Sequence, residues 1–132
     1  MPFKDVDAAL TAAHAYRAQA YAPYSNFAVG AVVVGEDGTF FGGANVENAS
    51  YGLTICAERA AVFHAVASGR RDLRAVAIAG PPERASAPCG ACRQVLREFN
   101  PGMDVAYTAS GAVVQTTLER LLPDSFGPED LR

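Results

Sequence analysis

The 132-residue sequence predicts a layered α/β domain with a mixed sheet. Three observations carry this: an amphipathic stripe at the start, valine-rich strand runs, and helices alternating with strands after an opening hairpin. The first helix is read from Val6 to Tyr21, where Val6, Leu10, Ala13 and Ala20 form the stripe and Lys4, His14, Arg17 and Gln19 lie off it. Pro23 and the polar Tyr24-Ser25-Asn26 stop it, and Phe27–Gly35 follows as a buried strand. Glu36-Asp37-Gly38 supplies hairpin turn chemistry, because Asp-Gly tolerates the positive φ of a tight connection. Thr39–Ala44 is the return strand, and Gly42-Gly43 within it implies a bulge or a close backbone approach.

Thr54 is placed to cap a helix from about Cys56 to Ser68 that Gly69 closes. Leu73–Gly80 reads as a second buried strand, ended by Pro81-Pro82. After a polar loop, Pro88 precedes a helix that begins near Cys89 or Gly90 and runs to Phe99, where Pro101-Gly102 terminates it. Short strands near Asp104–Tyr107 and Ala112–Gln115 and a helical turn around Leu118–Leu122 complete the pattern. No repeat or linker divides the chain, so residues 1–132 are expected to form a single domain.

Half of the residues are hydrophobic, enough for a packed core without disulfide staples. Eleven Lys and Arg against fourteen Asp and Glu leave a net charge of −3, which disfavours nucleic acid as a partner. Arg70, Arg71 and Arg74 cluster at the end of the second helix, where cations complement the helix dipole. The longest apolar stretches, Ala28–Gly35 and Ala75–Ala79, fall far short of the ~20 residues a spanning helix needs, so no membrane segment is expected. The first fifteen residues lack a basic-then-apolar layout, and the cytoplasm is the expected compartment.

All three cysteines fall in two short motifs, Cys56-Ala57-Glu58 and Pro88-Cys89-Gly90-Ala91-Cys92. An odd count argues against a disulfide framework. The two-residue gap between Cys89 and Cys92 is that of a thiolate pair on tetrahedral zinc, and both motifs sit at helix starts, whose free N–H groups favour thiolate over thiol. Three thiolates would weaken the metal as a Lewis acid unless a cation withdraws charge, and Arg59 and Arg93 each lie beside a ligand motif. A fourth soft ligand is hard to find. His64 lies eight residues past Cys56, ~12 Å along a helix, and His14 reads as a surface residue. The count therefore favours a catalytic site with an open position over a closed structural one. Glu58, two residues past Cys56 yet outside the ligand set, stands where a proton shuttle belongs.

These motifs resemble those of the short, homotetrameric cytidine deaminases. The likeness rests on Tyr24-Ser25-Asn26-Phe27 with Val29-Gly30-Ala31, Asn45-Val46-Glu47-Asn48, Cys56-Ala57-Glu58-Arg59, Pro88-Cys89-Gly90-Ala91-Cys92-Arg93-Gln94, and Leu121-Leu122-Pro123 with Phe126. It implies a three-layer α/β/α sandwich with a mixed five-stranded sheet. It also implies one Zn²⁺ per subunit on Cys56, Cys89 and Cys92, with Glu58 moving protons. Through the same resemblance Asn45 and Glu47 are expected to clamp the ribose, Phe27 to wall the base pocket, and the Ala57 backbone to address the base. Tyr51 and Phe126 are expected to reach a neighbouring subunit's site, and Arg59 to donate to the thiolates. The implied reaction turns cytidine and deoxycytidine into uridine and deoxyuridine plus ammonia, in pyrimidine salvage. Two other readings stay open at this level: deamination of another cytosine-bearing molecule, and a zinc-stapled interaction module without turnover.

Overall fold

A computed structural model describes residues 3–131. The elements in chain order are α1 (Val6–Tyr16), β1 (Gly30–Gly35), β2 (Phe40–Ala44), α2 (Ala57–Ala67), β3 (Leu73–Ala79), α3 (Gly90–Phe99), β4 (Asp104–Ala109), β5 (Ala112–Thr117) and α4 (Leu118–Leu121). The five strands form one mixed sheet in the order β2-β1-β3-β4-β5. Only β3 and β4 run parallel, because α3 carries the chain back across the sheet between them, while the other pairs are antiparallel.

Strand periodicity divides the core into two layers. Val32 and Val34 of β1, with Ala75, Ala77 and Ala79 of β3, pack on Ala9, Leu10 and Ala13 of α1. Ala31 and Val33, with Val76 and Ile78, turn to the other face and pack on α2 and α3 through Ala61, Val62, Ala65 and Leu96. The result is the expected α/β/α sandwich around a mixed five-stranded sheet. Each fully buried valine of β1 contributes roughly 1.5–3 kcal/mol, which makes this central strand the anchor of the fold. The small alanines beneath α1 let it approach closely.

Several boundaries differ from the sequence expectation. The first helix stops at Tyr16 and tightens into a 3-10 turn over Arg17–Gln19, instead of continuing to Tyr21. The first strand begins at Gly30 and not at Phe27. Over residues 27–29 the Asn45 side chain replaces a neighbouring strand, donating to Phe27 O at 2.8 Å and accepting from Val29 N at 2.9 Å. The β1–β2 register is continuous past Gly42 and Gly43, so the close-approach reading holds there and the bulge does not. A Cβ on Gly42 would meet the Tyr16 ring at 1.9 Å, and one on Gly43 the backbone N of Ala61 at 2.5 Å. The irregularity in β1 lies instead at Val34/Gly35, against β3.

Cys56, not Thr54, is the residue flanking the start of α2, because Ile55 just before it exchanges two backbone hydrogen bonds with Val46. Arg70 and Arg74 hold acids instead of the helix end: Arg70 bridges Asp37 and Asp72, and Arg74 pairs with Asp5. Both final strands run two residues longer than expected, and residues 128–131 add a 3-10 turn. Among the described residues no helix is long and apolar enough to cross a membrane.

Candidate active site

The fold brings the starts of α2 and α3 together at one end of the sheet. Cys56 and Cys89 are the residues flanking those helices at their N-termini, and Cys92 lies in the first turn of α3. The sulfurs converge, with Cys56 Sγ 3.8 Å from Cys89 Sγ, Cys89 Sγ 3.3 Å from Cys92 Sγ, and all three within 4.8 Å of one another. Tetrahedral zinc with Zn–S bonds of about 2.3 Å sets its sulfurs ~3.8 Å apart. The donor set therefore fits Zn²⁺ in size and softness. Among the described residues this cluster of potential ligand atoms contains no fourth side chain. His64 lies elsewhere, its Nδ1 2.9 Å from the Gly42 carbonyl.

The electrostatics favour an anionic sulfur. A hydrogen bond from Cys92 and the Arg59 guanidinium bring the Cys56 thiol down to about 5, whereas that shared bond and burial push the Cys92 thiol up. Arg59 Nη2 donates to Cys56 Sγ at 3.5 Å and to Thr54 O at 3.4 Å. Its buried Nε has no acceptor among the described residues. Arg93 does not share this duty. It donates instead to the carbonyls of Pro88, at 2.7 Å, and Leu121, at 2.8 Å, tying the Cys89 turn to the C-terminal segment.

A cavity of about 260 Å³ opens beside the sulfurs. Cys56, Ala57, Glu58 and Cys89 line one part of it, and Phe27, Asn45 and Glu47 another. Glu58 is only 5 % exposed, and its burial raises the carboxyl to about 7. A group poised there exchanges protons at neutral pH in either direction. Ala57, as the first residue of α2, has a backbone N–H without an acceptor inside the helix.

Asn45 is buried, and its two bonds to the 27–29 segment leave one amide hydrogen and one oxygen lone pair unspent. Glu47 Oε1 accepts from the backbone N of Tyr24 and Ser25, and its Oε2 accepts from the Ser25 hydroxyl. These bonds hold the carboxyl below the usual range, the Ser25 hydroxyl contributing most.

Tyr51 and Phe126 do not line this cavity. They are 74 % and 58 % exposed, Tyr51 standing against Tyr24 with ring centroids 5.8 Å apart. Ser25, Thr54, Ile78 and Ala85–Ala87 also line the cavity, although the sequence predicted no role in the site for them. Ser25 lay inside a recognised motif and was legible as a site residue. The 85–87 stretch carries no signal by itself, since long-range pairing with Thr108 and Ala109 brings it to the sheet end.

Three convergent cysteines at paired helix starts, with an acid beside them and an adjoining cavity, define an α/β domain of the zinc-binding class. Residues 4–108 match the family described as the cytidine and deoxycytidylate deaminase zinc-binding region. The chain is 45% identical over 129 residues to a cytidine deaminase of Sporosarcina psychrophila, covering 96% of this chain and 95% of that one. It is 48% identical over 117 residues to a cytidine deaminase of Halalkalibacterium halodurans, covering 87% and 89%. In three dimensions it resembles the cytidine deaminase of Burkholderia pseudomallei with a TM-score of 0.86 and 51% identity, over 91% of this chain and 98% of that chain. The Mycobacterium tuberculosis enzyme superposes with a TM-score of 0.82 at 41% identity, over 93% and 98%. The chain belongs to the cytidine and deoxycytidylate deaminase family.

Proposed function

We propose that this protein hydrolyses the exocyclic amine of cytidine and deoxycytidine, releasing ammonia and uridine or deoxyuridine, as a step of pyrimidine salvage in the cytoplasm. The observation that carries this reading is the cavity itself, which joins the buried carboxyl of Glu58 and two cysteines of the sulfur cluster, Cys56 and Cys89, to a polar Asn45/Glu47 end suited to a sugar hydroxyl. Cys56, Cys89 and Cys92 would hold Zn²⁺, which would supply the Lewis acidity that brings a water toward a pKa of ~7.

The protein's own residues do the rest. Glu58 takes a proton from the attacking water, passes it to N3 of the cytosine as oxygen adds at C4, and then carries a second proton to the leaving amine. Burial matches its pKa to this two-way traffic. The free N–H of Ala57 addresses the base carbonyl, and Phe27 packs on the ring. Asn45 and Glu47 hold the 3′-hydroxyl, the amide as donor or acceptor and the carboxylate as acceptor. Arg59 offsets the excess negative charge of three thiolates and so preserves the metal's acidity.

The exposed Tyr51 and Phe126 support a homotetramer in which each reaches a neighbour's site. The net charge of −3 supports a free nucleoside over a nucleic-acid strand. Loss of the cytidine absorbance band on adding enzyme, abolished by a chelator and restored by Zn²⁺, is the expected result. Cytidine and deoxycytidine left intact by zinc-loaded protein, in a panel that includes other cytosine-bearing molecules, overturns the assignment. Sedimentation of an active monomer overturns the shared site.

A further inference from the structure

None of the chemistry above uses the segment between β3 and Cys89, yet it forms one wall of the cavity through Ala85, Ser86 and Ala87. Its inner side is fixed to the sheet end. Ser86 N donates to Thr108 O at 2.9 Å, Ala85 bridges to Ala109, and the buried Ser86 presses against Gly80 so closely that a Cβ there would meet its Oγ at 1.9 Å. Its outer side is a turn closed by Arg84 N donating to Pro81 O at 3.2 Å. That turn sets the Arg84 guanidinium 5.0 Å above the centroid of the Phe27 ring.

Phe27 lines the cavity from the 25–29 segment, and its backbone is already held by Ser25 Oγ and the Asn45 amide. Its ring is only half-buried. Arg84 is exposed, has no ion pair among the described residues, and does not line the cavity itself.

We infer that Arg84 is a positioning residue for substrate, clasping the 81–87 wall to the 25–29 wall by covering the Phe27 ring and so holding that ring ready for the pyrimidine. This rests on Phe27 being a wall of the base pocket. An exposed cation over an aromatic face changes an equilibrium by about two- to five-fold. Since Arg84 touches neither the metal ligands nor Glu58, the effect falls on binding and not on the proton transfers.

The test compares Arg84→Ala, Arg84→Lys, Phe27→Leu and the Arg84→Ala/Phe27→Leu double variant of the zinc-loaded protein. Steady-state cytidine kinetics are combined with calorimetric titration of uridine. Arg84→Ala is expected to raise KM and the uridine Kd about two- to five-fold with kcat and Tm unchanged. Arg84→Lys, which keeps the cation, is expected to restore much of the loss. In the Phe27→Leu background Arg84→Ala is expected to have no further effect. An unchanged KM and Kd in Arg84→Ala, or an undiminished effect once Phe27 is gone, overturns the role of Arg84. Phe27→Leu binding cytidine and uridine as well as the parent overturns the base-wall reading and the clasp together, whereas weakened binding in Phe27→Leu with none in Arg84→Ala removes the clasp alone.

Discussion

Two glutamates line one cavity in opposite environments. Glu58, in the first turn of α2, is buried at the inner end of the cavity, and its carboxyl is raised to about 7 by that burial. Glu47, in the loop after β2, stays in contact with solvent and accepts three hydrogen bonds from Tyr24 and Ser25, which hold it below the usual carboxylate range. On the proposed mechanism the same side chain would thereby serve as a proton carrier at one place and as an anionic acceptor at the other. Environment, not residue type, assigns the work.

The contrast is broken most severely at Glu58. Glu58→Gln keeps the shape and removes the exchangeable proton, so kcat is expected to fall about 10²–10⁴-fold while zinc content by atomic absorption stays stoichiometric. Retained turnover would mean that the buried carboxyl is not the carrier. The next effect lies in the sulfur cluster, where Arg59→Gln removes the cation beside Cys56. Zinc affinity, measured by competition with a chromophoric chelator, is expected to drop about 10–100-fold.

At the other glutamate, Glu47→Gln is expected to raise KM roughly tenfold by losing a charged acceptor, with a much smaller change in kcat. Ser25→Ala sharpens the same point through pH. The Ser25 bonds keep Glu47 ionised into acid, so without the hydroxyl its pKa moves back up and KM starts to rise at a higher pH than in the parent.

The smallest effect serves as a control away from the cavity. Arg70 holds the Asp37 and Asp72 carboxyls below their usual range. Folded-state values below the unfolded ones give stability that is complete above the unfolded pKa of about 3.9 and is lost as pH falls toward the folded values. Urea denaturation of Asp37→Asn is therefore expected to show a shallower acid limb than the parent below pH ~4, with activity at neutral pH unchanged.

Much of this was legible in the amino-acid order. The spacing of Cys89 and Cys92 and the Cys56-Ala57-Glu58 run stood out because each is a local pattern, set by how a helix start presents neighbouring residues, whereas the Asn45/Glu47 pair was legible only through the family resemblance. The errors arose where a distant side chain took over a local job. Phe27–Val29 has the composition of a strand, but Asn45 occupies its hydrogen-bonding groups and turns it into cavity wall. Thr54 has the right chemistry for a cap, yet the exchange between Ile55 and Val46 delays the helix until Cys56 has taken that position. Arg93 sits beside a ligand just as Arg59 does, and only the path of the C-terminal segment decides that it serves carbonyls instead of sulfur.

By itself the sequence determined which atoms are available: three thiols at helix starts, one acid within two residues of the first, and a β-rich core to hold them. Tertiary structure alone decided that residues 33 positions apart share one metal-sized space, that Glu58 is buried while Glu47 is partly exposed, and that Arg84 lies over Phe27. The physical reason is range. Caps, turns and ligand spacings are properties of a few consecutive residues, whereas desolvation and the meeting of two walls depend on which surfaces the sheet packs together.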